Sequence, residues 1–170
     1  MNDAMELIRE QAKAIRRASL KAAEEHYASE TPWYNAKHWL GIPLALLSAV
    51  AGATAFSQLN HSATIAGALS LTVAILTTLS TVLSPEKKAS EHHKFAKEYE
   101  KLYNQAGLFY KLESVIGTPD QKALEEKLNT LITTLEDLNV NRPGITRRAY
   151  RIAEANLEIG KGEVIKVSED

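Results

Sequence analysis

Hydrophobic and polar positions divide this chain into a charged arm, an uncharged centre and a second, longer charged arm. From Trp39 to Ser84 there is no Asp, Glu, Lys or Arg, and the polar SQLNHS at 57–62 splits that centre in two. The eighteen residues Trp39–Phe56 would make about 27 Å of helix and the twenty-one of Ala63–Leu83 about 31 Å, against a bilayer hydrocarbon core of roughly 30 Å. With so short a connection, the pattern predicts a hairpin of two membrane-spanning helices, 39–57 and 62–84.

The arms read as helices of another kind. Met5, Ile8, Ala12, Ile15, Ser19 and Ala22 alternate at spacings of three and four, which predicts an amphipathic helix over 3–28 headed by an Asp3/Glu6 capping pair. Pro32 in SETPWYNAKHW is expected to end that helix, and Trp33, Tyr34 and Trp39 to anchor the chain where headgroups meet hydrocarbon. Beyond Pro85, Phe95, Tyr99, Leu102, Ala106, Phe109, Leu112 and Ile116 mark a helix over 86–116. Gly117, Thr118, Pro119 and Gln121 carry stop and start signals, and Leu124, Leu128, Leu131, Leu135 and Leu138 form the seam of a helix over 119–138. NVNRPG interrupts; a short helix over 145–158 and a flexible tail over 159–170, with at most one short strand, complete the pattern. The fold class expected is an all-α membrane protein: one domain over 1–158, with a transmembrane hairpin, an amphipathic N-terminal helix and long cytoplasmic C-terminal helices, assembled as a homo-oligomer.

Composition sharpens this picture in three ways. The 20 basic and 21 acidic residues nearly cancel, which gives no sign of a nucleic-acid partner, and they lie almost wholly in the arms. With no cysteine there is neither a disulfide framework nor a thiolate site, and the charged first thirty residues do not read as a cleaved signal peptide. Lys21 and Lys37 flank one outer end of the hairpin and Lys87, Lys88, Lys94, Lys97 and Lys101 the other, while the connecting loop has no Lys or Arg. Positive residues stay inside, so both termini are expected on the cytoplasmic side, with Asn60 and His61 at the far surface.

Each predicted span has one face of small or hydroxylated residues at heptad spacing. In the second it is Ala63, Gly67, Ser70, Ala74, Thr77, Thr81 and Ser84; in the first, Gly41, Ala45, Ser48, Gly52 and Ala55. Between helices in lipid there is little hydrophobic drive, so close approach through small residues becomes a main source of association. Two readings follow. The stripes join the two spans, or neighbouring hairpins; or Ser70, Thr77 and Ser84 stack as hydroxyl rings around an aqueous path. Two spans cannot enclose a pore, so the second reading requires a homo-oligomer.

Candidate chemistry is sparse. Adjacent residues on a helix diverge by about 100°, so His92 and His93 are expected as a solvated pair, and His26, His38 and His61 are scattered. No metal or cofactor site is expected, and no catalytic constellation, since GKGEV at 160–164 lacks the pattern of a phosphate-binding loop. Arg142, Arg147, Arg148 and Arg151 form the one group suited to an anionic nucleotide or lipid headgroup, the alternative being a solvated face paired with glutamates.

The layout of an amphipathic helix, a Trp-bearing entry to a tight hairpin, LSPEKKASEHHKFAKEYEKLYNQ at 83–105 and NRPGITRRAYRIAEANL at 141–157 resembles the SLATT family over about residues 1–158. These are two-transmembrane effector domains found beside SMODS nucleotidyltransferases and SLOG ligand sensors in prokaryotic conflict systems. The pattern carrying the resemblance is the span ending Leu83-Ser84-Pro85, then Ala89, His92, Tyr99 and Leu102, and later Pro143, Tyr150 and Ala153. The resemblance implies a pore-forming, antiviral effector in the inner membrane that depolarises it when a sensor detects infection, so that the cell arrests or dies. A separate sensor protein or a nucleotide second messenger would then be the trigger. Two other readings of the residues are a membrane-anchored scaffold whose helices dock a soluble partner, and a soluble protein that buries the hairpin in its own core.

Overall fold

The structure, a computed structural model, describes residues 2–57, 61–115 and 121–167, with side-chain surroundings for 4–57, 61–109 and 122–159. It has five helices: α1 (Asn2–Ala55), α2 (Ser62–Leu83), α3 (Pro85–Val115), α4 (Gln121–Asn141) and α5 (Arg147–Val167). No strand occurs among the described residues. The chain forms two compact units, one of residues 1–29 with 91–170 and the other of residues 30–90.

In the first unit, α1 contributes Ile8, Ala12 and Ile15, α3 contributes Leu102, Ala106 and Phe109, and α4 contributes Leu124, Leu128 and Leu131 to one core, with Leu135 and Leu138 packed against it. The alternation of threes and fours therefore has its ordinary meaning here: one apolar stripe per helix, turned to its neighbours. The leucine seam of α4 is covered within the chain. On α5, Ala149 and Ala153 are buried, and Thr146 caps that helix by accepting the Ala149 amide at 3.2 Å.

In the second unit, exposure falls at Trp33, Ala36, Leu40, Leu44, Leu47, Ala51 and Thr54 of α1 and at Ala66, Leu69, Val73, Leu76, Ser80 and Leu83 of α2. These positions also alternate by threes and fours, and they mark the face that each helix turns to the other. His61 enters α2 with φ 69°, and Ser84, at φ 43°, separates α2 from α3. Both lie in the left-handed region, where side chains other than glycine are strained. Ser84 is fixed there by two bonds, its amide donating to the Ser80 carbonyl at 3.0 Å and its hydroxyl to that of Thr81 at 2.6 Å.

Three expectations require correction. Pro32 does not end a helix at residue 28: α1 runs unbroken from Asn2 to Ala55 with Pro32 and Pro43 inside it. A proline removes one backbone bond and crowds the preceding turn, at a cost of about 3 kcal/mol. The packed residues before Pro32 and the seam after it hold both arms of α1 helical across that defect. The structure starts α1 at Asn2, one residue before Asp3, where the expected capping pair began the helix at residue 3. Finally, α5 does not end at 158 but reaches Val167, replacing the flexible tail or strand expected there. Gly160 and Gly162 weaken a helix by about 1 kcal/mol each, yet no proline intervenes and Glu158 and Lys161 stand at a favourable helical spacing. The capping signals at Gly117, Thr118 and Pro119, and the far-surface position of Asn60, fall outside the described residues.

Candidate functional site

The outward faces of the hairpin form the first candidate. Gly41, Ala45, Ser48, Gly52 and Ala55 on α1, and Ala63, Gly67, Ser70, Ala74, Thr77 and Thr81 on α2, are all exposed. They stand beside the seam and not in it, so they do not join the two spans of one chain. A Cβ placed on Gly41, Gly52 or Gly67 would meet no atom within 4 Å. The rest of the outer surface is large and apolar, with Ile42, Leu46, Val50, Ile65, Leu71, Ile75, Leu79 and Val82 all exposed. A monomer in water seldom leaves so much apolar surface uncovered.

Three hydroxyls on this surface are turned to their own helices. Ser48 donates to the Leu44 carbonyl at 2.8 Å, Thr77 to Val73 at 2.8 Å and Thr81 to Thr77 at 2.8 Å. Such back-bonding satisfies the donor inside an apolar medium and leaves oxygen lone pairs as the outward polar feature. Ser84, the last of the expected hydroxyl positions, is only half-exposed and serves the α2–α3 joint.

The residues expected as interfacial anchors all lie on α1. Trp33 is half-buried, with the Lys88 ammonium 4.3 Å from its ring centroid; Tyr34 is exposed, its ring 4.7 Å from that of His38; Trp39 is 80% exposed.

The second candidate is a buried polar cluster in the first unit. His92 does not stand in solvent beside His93, as the sequence led us to expect; it is buried against His26, likewise buried, and their Nδ1 atoms are 3.0 Å apart. The His26 ring stacks on Phe95 and Tyr99, with centroids 5.7 and 5.6 Å away. Two neutral rings meet this way when one carries its proton on Nδ1 and the other does not. His26 Nε2 has no hydrogen-bond partner among the described residues, so it is best left as the bare acceptor, with the proton of His26 on Nδ1. Burial and the neighbouring His92 and Arg142 push the His26 imidazole down to about 4. His93, one residue on, faces outward with its ring edge toward Tyr27.

Both histidines continue stripes legible in the sequence. His26 follows Ala22 by four and precedes Ser29 by three, and all three are buried; His92 stands seven before Tyr99. Treating those stripes as positions, whatever residue filled them, would have found the pair.

Arg142 is drawn into the same cluster. Its guanidinium lies 3.7 Å from the carboxylate of Glu25, whose side chain is only 9% exposed. Burial pushes the Glu25 carboxyl up, while Lys21 and Arg142 oppose that shift. Above them Tyr99 donates to Asn139 at 3.0 Å, and Lys21 donates to Tyr150 at 2.9 Å. Arg147, Arg148 and Arg151 remain exposed on the first turns of α5, so the expected arginine group divides into one structural residue and three at the surface. Arg142→Ala is expected to destabilise the first unit by about 1 kcal/mol, because it removes one of the two cations, with Lys21, that offset the burial of the Glu25 carboxylate. Urea denaturation followed by hydrogen exchange in α1 and α3 checks this, and adding Glu25→Gln should recover much of the loss.

No group of three or more His, Cys, Asp or Glu suited to a metal occurs among the described residues. What the fold defines is an all-helical chain with two helices long and apolar enough to cross a membrane. Compared with protein-family models, curated proteins and solved structures, the chain matches none.

Proposed function

We propose that this chain is a membrane hairpin that self-associates along its outward small faces and acts as a pore-forming or membrane-perturbing effector. The observation that carries the proposal is that Gly41, Gly52 and Gly67 have open space over their α-carbons on faces the chain does not cover itself. In lipid, such faces let backbones of neighbouring copies approach closely. The resemblance to the SLATT family supplies the setting: a prokaryotic inner membrane, both termini cytoplasmic, and a role in anti-phage defence by abortive arrest or death. A sensor protein or nucleotide messenger is the trigger in this reading.

A hairpin folded into a soluble core is disfavoured, because almost none of either apolar run is buried. The alternative, a membrane-anchored scaffold whose helices 86–138 dock a soluble partner, would have to use surface other than Leu124, Leu128 and Leu131, which pack with α1 and α3. Induced expression together with the activating system should collapse membrane potential and admit an excluded dye. Ser70→Leu combined with Thr77→Leu should abolish that leakage and leave membrane insertion intact. Unchanged potential in cells whose membranes contain the protein would end the effector reading, and full leakage by the double variant would remove the small face from it.

A further inference from the structure

We propose that the groove where α1, α2 and α3 meet in the second unit binds the phosphate of an anionic phospholipid headgroup. The proposal rests on the membrane reading above. The groove has a volume of about 750 Å³ and is walled by residues from the ends of the uncharged runs: Lys37 and His38 just before Trp39, and Ser84 to Lys87 just after Leu83. If the spans cross a bilayer, this is the level at which headgroup phosphates lie.

The chemistry of the wall suits a phosphodiester. Lys37 and Lys87 bring two ammonium groups, and Ser80 and Ser90 bring hydroxyls. Glu86 is the one carboxylate present and is bound to Lys37 at 2.8 Å, a contact that holds the Glu86 carboxyl below its usual range. That bond uses one of three ammonium donors, leaving two on Lys37 for another acceptor, and two cations against one anion leave the groove positive. Lys88 is held over Trp33, which fixes a further cation at this end of the hairpin.

The other end of the groove selects a lipid over a free anion. Gly41 and Ile42 line it; Gly41 opens onto empty space, and Ile42 is 61% exposed on a face that continues into Leu46 and Val50. A ligand with its phosphate among Lys37, Lys87 and the serines could lay an acyl chain along that apolar strip. Phosphate alone would leave the strip uncovered. Basic grooves between helices at the cytoplasmic surface are suited to such headgroups.

The test uses the purified full chain. Flotation with phosphatidylcholine vesicles first establishes insertion; native mass spectrometry from detergent doped with equal phosphatidylglycerol and phosphatidylcholine then measures lipid retention. The expected result is at least tenfold preference for phosphatidylglycerol, lost in Lys37→Gln/Lys87→Gln while flotation and helicity are unchanged. Gly41→Leu, whose Cβ would meet no atom within 4 Å and which changes no charge, places apolar bulk in the groove and should lower retention to the same degree. Equal retention of the two lipids, or undiminished retention by both variants, overturns the proposal while leaving the membrane reading in place. Displacement of phosphatidylglycerol by inorganic phosphate below millimolar concentration would reassign the groove to a soluble anion and overturn the lipid assignment. A chain that stays with the aqueous fraction overturns the membrane reading and this proposal together.

Discussion

Gly67→Leu is expected to abolish self-association and membrane leakage while leaving the chain folded. The two halves of that expectation have separate physical grounds. Within the chain, a side chain at residue 67 projects into open space, since its Cβ would have no neighbour within 4 Å, and replacing a helical glycine adds up to about 1 kcal/mol of helix stability. Between chains, leucine holds two backbones apart at the point where the small face of α2 lets them close. A loss of about 1.4 kcal/mol lowers an association constant tenfold, and a leucine at residue 67 separates the backbones over the neighbouring turns of that face as well. Cross-linking in detergent and a potential-sensitive dye in cells give the two readouts. Ile75→Leu, on the exposed apolar surface beside that face, is the control and should change neither. Wild-type cross-linking and leakage from Gly67→Leu would show that copies do not meet on this face.

The second large effect is one of pH. His26 is buried neutral and titrates near 4, against 6.5 in an open chain. Its folded value is depressed, so below 6.5 the unfolded chain binds a proton that the folded chain refuses, and stability falls as pH falls. The contribution is fully present above 6.5 and is lost between 6.5 and about 4. Linkage puts the loss at roughly 2 kcal/mol by pH 5, out of a total of about 3 kcal/mol.

The groups facing His26 give this its direction: His92, Phe95 and Tyr99 from α3, and Arg142 from the segment after α4. Protonating His26 would set a second positive charge beside Arg142 and leave its two N–H groups against a histidine and an apolar wall. Glu25 acts oppositely, because burial raises its carboxyl; acidification relieves that cost as pH falls through the raised value towards the ordinary one, so the His26 share of the slope is read as the part that His26→Phe removes. Hydrogen exchange of α1 and α3 amides at constant urea, corrected for intrinsic rates, should show protection falling between pH 7 and 5. His26→Phe, which keeps the ring stack, should remove that slope. A slope unchanged in His26→Phe would assign the acid sensitivity to other groups.

How far the sequence could be read follows from the range of each interaction. Helices α2 and α4 were legible to within a few residues because their signals are local: an unbroken uncharged run for α2, a four-three leucine seam for α4. The stripe of α1 before residue 28 was legible for the same reason. Pro32 misled because its local preference for ending a helix is genuine but was outweighed by packing along residues before and after it. His92 misled because adjacency to His93 drew attention away from the stripe it shares with Tyr99. For the candidate site, the small faces were readable residue by residue, but whether they met each other or pointed outward was not, since two stripes one position apart both satisfy the heptad.

By itself, the sequence determined that the chain is helical, that two helices are apolar enough to cross a membrane, and that each carries one slender face. Periodicity and composition decide those matters, because they depend on which residues follow one another. Tertiary structure alone decided that Leu69, Val73 and Leu76 form the hairpin seam while Gly67, Ser70 and Ala74 face outward, and that His26 meets His92 across sixty-six positions. Those outcomes depend on the rotation of one helix against another, and that rotation is set by the sum of many side-chain contacts.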